Sequence, residues 1–227
     1  HFNAFFTRAL RPGAREIDTA ADAVVSPADG AVSQIGTIEA GRIFQAKGHA
    51  FSTAELLADS ADATLFDGGA FATIYLSPRD YHRVHMPLAG RLRRLRHVPG
   101  RLFSVNPVTA ASVPALFARN ERVVCVFDTE HGPLAMVLVG AMVVAGIETV
   151  WTGPIAPAGH GMLTLDYELD EHARTLAKGA EMGRFQFGST VILLLPRDGV
   201  GWDSALGSGS VLRMGRRIGT LACPSSA

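Results

Sequence analysis

Cysteine is almost absent from this chain: Cys125 and Cys223 are the two in 227 residues, far apart in sequence. Such a pair offers no disulfide framework and no CxxC metal site, and it suits a reducing compartment. An excess of charge of either sign is missing as well. The 21 Lys and Arg are balanced by 21 Asp and Glu, which argues against a dedicated nucleic-acid binder, whose phosphate contacts call for surplus cations. Long apolar runs are also lacking. The uncharged stretch 132–147 has 16 residues and is interrupted by Gly140 and Gly146, short of the roughly 20 that a spanning helix needs. Buried sheet is the better reading. There is no dinucleotide fingerprint or phosphate-binding loop, no internal repeat, no low-complexity tract and no secretory signal. The first residue is His1 rather than Met, so a native segment ahead of it is expected.

What is present is apolar content, 48% of the chain, enough to bury one sizeable core, so residues 1–227 read as a single domain. Short alternating or β-branched runs separated by glycine and polar turns predict strands over 31–36, 71–76, 123–127, 134–139, 142–144, 161–165 and 191–195. Helical patterning is confined to 3–9, 51–57 and 113–119, and the glycine-rich 199–209 reads as a surface loop. This pattern predicts a mostly β (α+β) fold, with antiparallel sheets in a barrel-sandwich-like arrangement and a few appended helices.

Chemistry concentrates at Gly188-Ser189-Thr190, directly ahead of the apolar run Val191-Ile192-Leu193-Leu194-Leu195. Glycine leaves its own carbonyl open to attack, and the next serine hydroxyl can attack it, converting the amide to an ester. Elimination from that ester breaks the chain after Gly188. Hydrolysis of the dehydroalanine left at Ser189 yields a pyruvoyl cap, a ketone able to form a Schiff base with an amine. The alternative is a tight turn into a buried strand.

A serine is a poor nucleophile without a base and a group to orient that base. Asp29 in Ser26-Pro27-Ala28-Asp29-Gly30 and the histidines of Ser77-Pro78-Arg79-Asp80-Tyr81-His82-Arg83-Val84-His85-Met86-Pro87 are the candidates. Each has another reading: a histidine is often a hydrogen-bonded structural residue, and Asp before Gly often forms a turn. His82 and His85 share one side of a turn or helix but not of a strand, and Pro78 and Pro87 favour a loop. A rival reading joins both histidines to Asp29 or His49 as metal ligands.

At these residues the chain resembles the phosphatidylserine decarboxylases, pyruvoyl-dependent enzymes of phospholipid synthesis. The resemblance extends over Phe5-Phe6-Thr7-Arg8, Gln45-Ala46-Lys47-Gly48-His49, Leu102-Phe103-Ser104-Val105-Asn106, Phe117-Ala118-Arg119-Asn120-Glu121-Arg122 and Gly179-Ala180-Glu181-Met182-Gly183-Arg184-Phe185. One departure is Phe187 ahead of Gly188, where the family usually has leucine. The resemblance implies that Asp29, His85 and Ser189 form a charge-relay set for self-cleavage at Gly188 and Ser189, and that His82 serves the later decarboxylation. It further implies a pyruvoyl cofactor made from Ser189, no metal, and conversion of phosphatidylserine to phosphatidylethanolamine and carbon dioxide. The expected pieces, 1–188 and 189–227, should stay associated, because a fragment of 39 residues cannot hold a fold alone.

An anionic membrane surface, met peripherally on the cytoplasmic face of the cell membrane, is the implied setting, with a homodimer left open. Phe2, Phe5, Phe6 and Leu10 beside Arg8, Arg11 and Arg15 suit an interfacial helix or a helix packed on the body of the domain. Arg91, Arg93, Arg94 and Arg96 suit either anionic lipid or a solvated basic strand edge. Two other functions stay open at this point: a pyruvoyl decarboxylase of another serine-headed lipid or an amino acid, and a non-catalytic sandwich domain that binds a partner.

Overall fold

The computed structural model describes residues 6–141, 146–155, 161–169, 174–186 and 189–222. Its centre is the strand Ser189–Leu195, every residue of which is buried. It pairs antiparallel with Ala70–Leu76 on one side and Gly132–Gly140 on the other. Alternation along the strand divides its side chains between two cores. Val191, Leu193 and Leu195 join Ile74, Met136 and Leu138 on one face, while Ile192 and Leu194 join Phe71, Ala135 and Val137 on the other. The continuous apolar run in the sequence therefore reports a strand covered on both faces.

Among the described residues this sheet has nine strands. Its order is Leu163–Asp166, Gly90–Val98, Arg122–Thr129, Gly132–Gly140, Ser189–Leu195, Ala70–Leu76, Gly30–Thr37 and Val211–Leu212, with Thr175–Leu176 also beside Gly90–Val98. A four-stranded sheet runs Gly153–Pro154, Ile147–Thr149, Glu181–Phe185, Arg83–His85, and a three-stranded one runs Ala23–Val25, Arg217–Leu221, Val200–Trp202. Arg42–Ala46 and His49–Ser52 form a hairpin. The strand pairings are antiparallel throughout, and no barrel closes among the described residues. The mostly β, α+β sandwich expected from the sequence is the observed class.

Helices are short. Thr53–Leu57 starts at a capping box made by Ser52 and Glu55, and Leu116–Arg119 is the third expected helix in shortened form. Ser60–Thr64 and Pro107–Ala110, capped by Asp59 and Asn106, were not expected. At the N-terminus Phe6 is helical and Thr7 a turn, so the helix expected through Ala9 ends earlier. Phe6 is buried against the body. The strand expected at 142–144 lies outside the described residues.

Two expectations are corrected. The arginine-rich segment is not a solvated edge: Gly90–Val98 has neighbours on both sides. Leu92 and Leu95 enter the core. Arg96 bonds Asp59 at 2.7 Å and Asp62 at 3.2 Å, and Arg94 bonds Asp62 at 2.7 Å. Arg94 and Arg96 are held by the chain's own carboxylates, because a charge this deep needs a partner. The stretch 199–209 is not all loop either, since Val200–Trp202 pairs with Arg217–Leu221.

Candidate active site

Among the chain crossings between the large sheet and the four-stranded one, two join the same two pairs of strands. One runs from Ala70–Leu76 to Arg83–His85; the other runs from Glu181–Phe185 to Ser189–Leu195. Because Leu76 pairs with Ser189, the first crossing begins directly opposite the serine. It opens with a turn in which the Asp80 N–H donates to the Ser77 carbonyl at 2.9 Å. Pro78 sits at the position where its fixed φ favours the turn, and the Asp80 carboxylate accepts from both the N–H and the hydroxyl of Ser77 at 2.7 Å. This turn delivers Tyr81, His82 and His85 to the site.

Ser189 is fully buried, and its Oγ has no hydrogen-bond partner among the described residues. Thr190 Oγ1 is in the same condition. Leaving a buried hydroxyl unpaired costs about 1–3 kcal/mol, so the arrangement is not explained by fold stability. Gly188 and Phe187 lie outside the described residues. On their upstream side, the Phe185 N–H donates to the His82 carbonyl at 3.0 Å and the Gln186 N–H to the Gly146 carbonyl at 2.8 Å. The Gln186 side chain donates to Glu148 at 2.6 Å, and Arg184 Nε donates to the same carboxylate at 2.6 Å. Burial works against the charged form of Glu148, yet Gln186 and Arg184 hold its carboxyl below the usual range.

His82 is fully buried with its ring 4.1 Å from that of Phe6. Its Nδ1 lies 2.8 Å from the Asp80 carbonyl, an acceptor, so Nδ1 carries the proton. Nε2 is then a bare lone pair with no partner among the described residues. Burial lowers the proton affinity of this imidazole. His85 is bound at both nitrogens. Nδ1–H donates to the Gly179 carbonyl at 2.8 Å, and Nε2 accepts from the Tyr81 hydroxyl at 3.0 Å. Burial pushes its pKa down as well.

Asp29 accepts from both the Nε and NH2 groups of Arg15 and from the Met214 N–H at 2.9 Å. Burial opposes its charge, and the bonds from Arg15 and Met214 outweigh that and hold the carboxyl below the usual range. Gly30 follows Asp29 because the strand passes so close to Ala70–Leu76 that a Cβ there would lie 2.4 Å from the Tyr75 carbonyl oxygen. The backbone brings Asp29 and His85 into one neighbourhood, since the His85 N–H donates to Pro27 at 2.8 Å. No hydrogen bond among the described residues joins Asp29 to His85, or His85 to Ser189.

Sequence reasoning named Asp29, His82, His85 and Ser189. It gave no role at the site to Tyr81, although the motif contains it, nor to Glu148, and it read Arg15 with Arg8 and Arg11 as the basic flank of a helix, whereas Arg15 bonds Asp29. Among the described residues no group of three or more His, Cys, Asp and Glu side chains is placed to hold a metal ion.

The phosphatidylserine decarboxylase family profile matches residues 2–220. The chain belongs to this family. It is 63% identical to the phosphatidylserine decarboxylase proenzyme of Pseudomonas putida, an alignment that takes in 100% of this chain and 79% of that protein. The proenzyme of Stutzerimonas stutzeri is 62% identical over 100% of this chain and 77% of its own length. That of Pseudomonas fluorescens is 63% identical over 96% and 77% respectively. Family membership makes the chain a decarboxylase by descent.

Proposed function

We propose that this chain is a self-processing decarboxylase that cleaves itself between Gly188 and Ser189 and then removes the carboxyl group of phosphatidylserine, giving phosphatidylethanolamine and carbon dioxide. The observation that carries this reading is the Ser189 hydroxyl. It is buried and without a partner among the described residues, it opens a strand buried at every residue, and it follows a glycine. A structural serine in that place would have an acceptor. The same position fits a pyruvoyl group, whose carbonyl would take a substrate amine and accept the electron pair released with carbon dioxide.

The chain's own residues divide the remaining work. His85 is the base for self-cleavage, and Asp29 acts on it through its negative charge, with no hydrogen bond between them among the described residues. His82 holds an Nε2 that has no partner among the described residues in a buried site, and this is the atom at which a proton would be carried to the carbon that has lost carbon dioxide. The pieces 1–188 and 189–227 stay together as one domain, because Ser189–Leu195 is paired along its length between two strands of the larger piece. The substrate is a lipid, so the protein must meet a membrane surface. No helix of the described residues is long and apolar enough to cross one, and exposed Val150, Met162, Leu163 and Leu169 support peripheral contact with that surface.

The test is His82→Ala. This variant should cleave itself at a rate near that of the unaltered chain and label with a hydroxylamine probe for ketones. Its release of carbon dioxide from phosphatidylserine should fall by about 10²–10⁴, the range for loss of a general acid or base. An uncleaved chain, or cleavage with normal decarboxylation, would remove His82 from the assigned role.

A further inference from the structure

His85 can take a proton only at Nε2, because Nδ1 already donates its hydrogen to Gly179. That one basic lone pair is covered by the Tyr81 hydroxyl at 3.0 Å. A proton reaching His85 must therefore pass through, or displace, the phenol. The carboxylate expected behind the base is bound to Arg15 and Met214 instead, so it does not supply the missing partner. Tyr81 is buried, and its ring lies 5.7 Å from that of His85.

Resting on the self-cleavage reading above, we propose that Tyr81 is a positioning residue for that reaction: its hydroxyl aims the His85 Nε2 lone pair and then accepts the N–H of the imidazolium formed there. As the proton arrives at Nε2, the Tyr81 O–H bond either hands its hydrogen to His85 while the phenol oxygen takes one from the donor, or turns to accept from the new N–H. In both cases tyrosine ends as a neutral phenol. Burial, joined by the nearby Glu181 carboxylate, pushes its pKa to about 12, which keeps the hydroxyl protonated throughout.

The charges around this pair are Glu181 and Arg83, bonded to each other at 2.8 Å, and Asp29 with Arg15. They remain in a Tyr81→Phe variant, so its effect reads the hydroxyl. A hydrogen bond to a charged group is worth more than one to a neutral group. Losing the hydroxyl therefore penalises imidazolium more than imidazole and lowers the His85 pKa.

The experiment has two arms. In the uncleavable Ser189→Ala background, NMR titration of His85 with and without Tyr81→Phe should show the lower pKa in the Phe variant. Biosynthetic 3-fluorotyrosine in the unsubstituted Ser189→Ala chain gives a second reading should Tyr81→Phe fail to fold, since the Tyr81 fluorine signal should titrate together with His85. In the cleavable chain, made by cell-free synthesis, Tyr81→Phe should slow precursor loss about tenfold at pH 8. The deficit should shrink toward pH 6 as the acid limb moves down. An unchanged His85 pKa, or a fluorine signal indifferent to it, overturns the proposal. A shifted pKa with an unshifted cleavage profile instead supports the Tyr81 coupling and overturns His85 as the base.

Discussion

The two sides of Ser189 are built differently. Downstream, Ser189–Leu195 is a fully buried strand whose residues are held by backbone ladders and apolar contacts on both faces. Upstream, Glu181–Phe185 also lies in a ladder, between Ile147–Thr149 and Arg83–His85 with Met182 and Phe185 in the core, but polar side chains are added at its end. Arg184 and Gln186 converge on Glu148, Arg83 bonds Glu181, and the Gln186 N–H reaches Gly146. The first arrangement is insensitive to a break at its end, because each residue keeps its own ladder bonds. The second adds a few directional side-chain bonds to its ladder, which suits a segment whose carbonyl must be presented to a hydroxyl at a set angle. A self-cleaving junction needs both: one side that stays in place after the break and one that aims the bond beforehand.

The sharpest contrast comes from truncating each side. Leu193→Ala, at a fully buried position between Ala72 and Met136, should cost about 2–5 kcal/mol of stability, read as a lower urea midpoint. The molecules that remain folded should still cleave at an unaltered rate. Glu148→Ala should do the reverse. Its cost in stability should be about 1–2 kcal/mol, from two donors left without their carboxylate. Precursor loss in cell-free synthesis should slow about tenfold, equivalent to ~1.4 kcal/mol on the barrier. Equal slowing by both variants, or none by Glu148→Ala, would mean that the upstream clamp does not aim the bond.

Much of this architecture could be read from residue order. The runs around Val32, Ile74, Val124, Val137 and Leu193 announced strands, because β-branched and alternating residues fit a pleated surface wherever that surface is covered. Gly90–Val98 was misjudged for a physical reason. Its arginines look solvated in sequence, and the carboxylates of Asp59, Asp62 and Asp166 that neutralise them come from segments far away in the chain. Ser60–Thr64 and Pro107–Ala110 are too short for a helical period to show, although Asp59 and Asn106 were visible capping residues. At the site, Asp29, His82, His85 and Ser189 could be named because each carries chemistry in its residue type. The partners they have in space could not. Arg15 on Asp29, Tyr81 on His85 and Glu148 on Gln186 depend on how the sheets pack. Tyr81, four residues before His85 inside one motif, offered the only local hint.

The central claim is that the Gly188–Ser189 bond breaks itself and leaves a ketone at the new end. Intact-mass spectrometry of the purified chain with a hydroxylamine probe reads both at once. The account predicts two masses, matching 1–188 and 189–227, with the probe on the smaller piece alone, and a single unlabelled full-length mass for Ser189→Ala. An unbroken, unlabelled wild-type chain, a break at another bond, or normal cleavage of Ser189→Ala would contradict it.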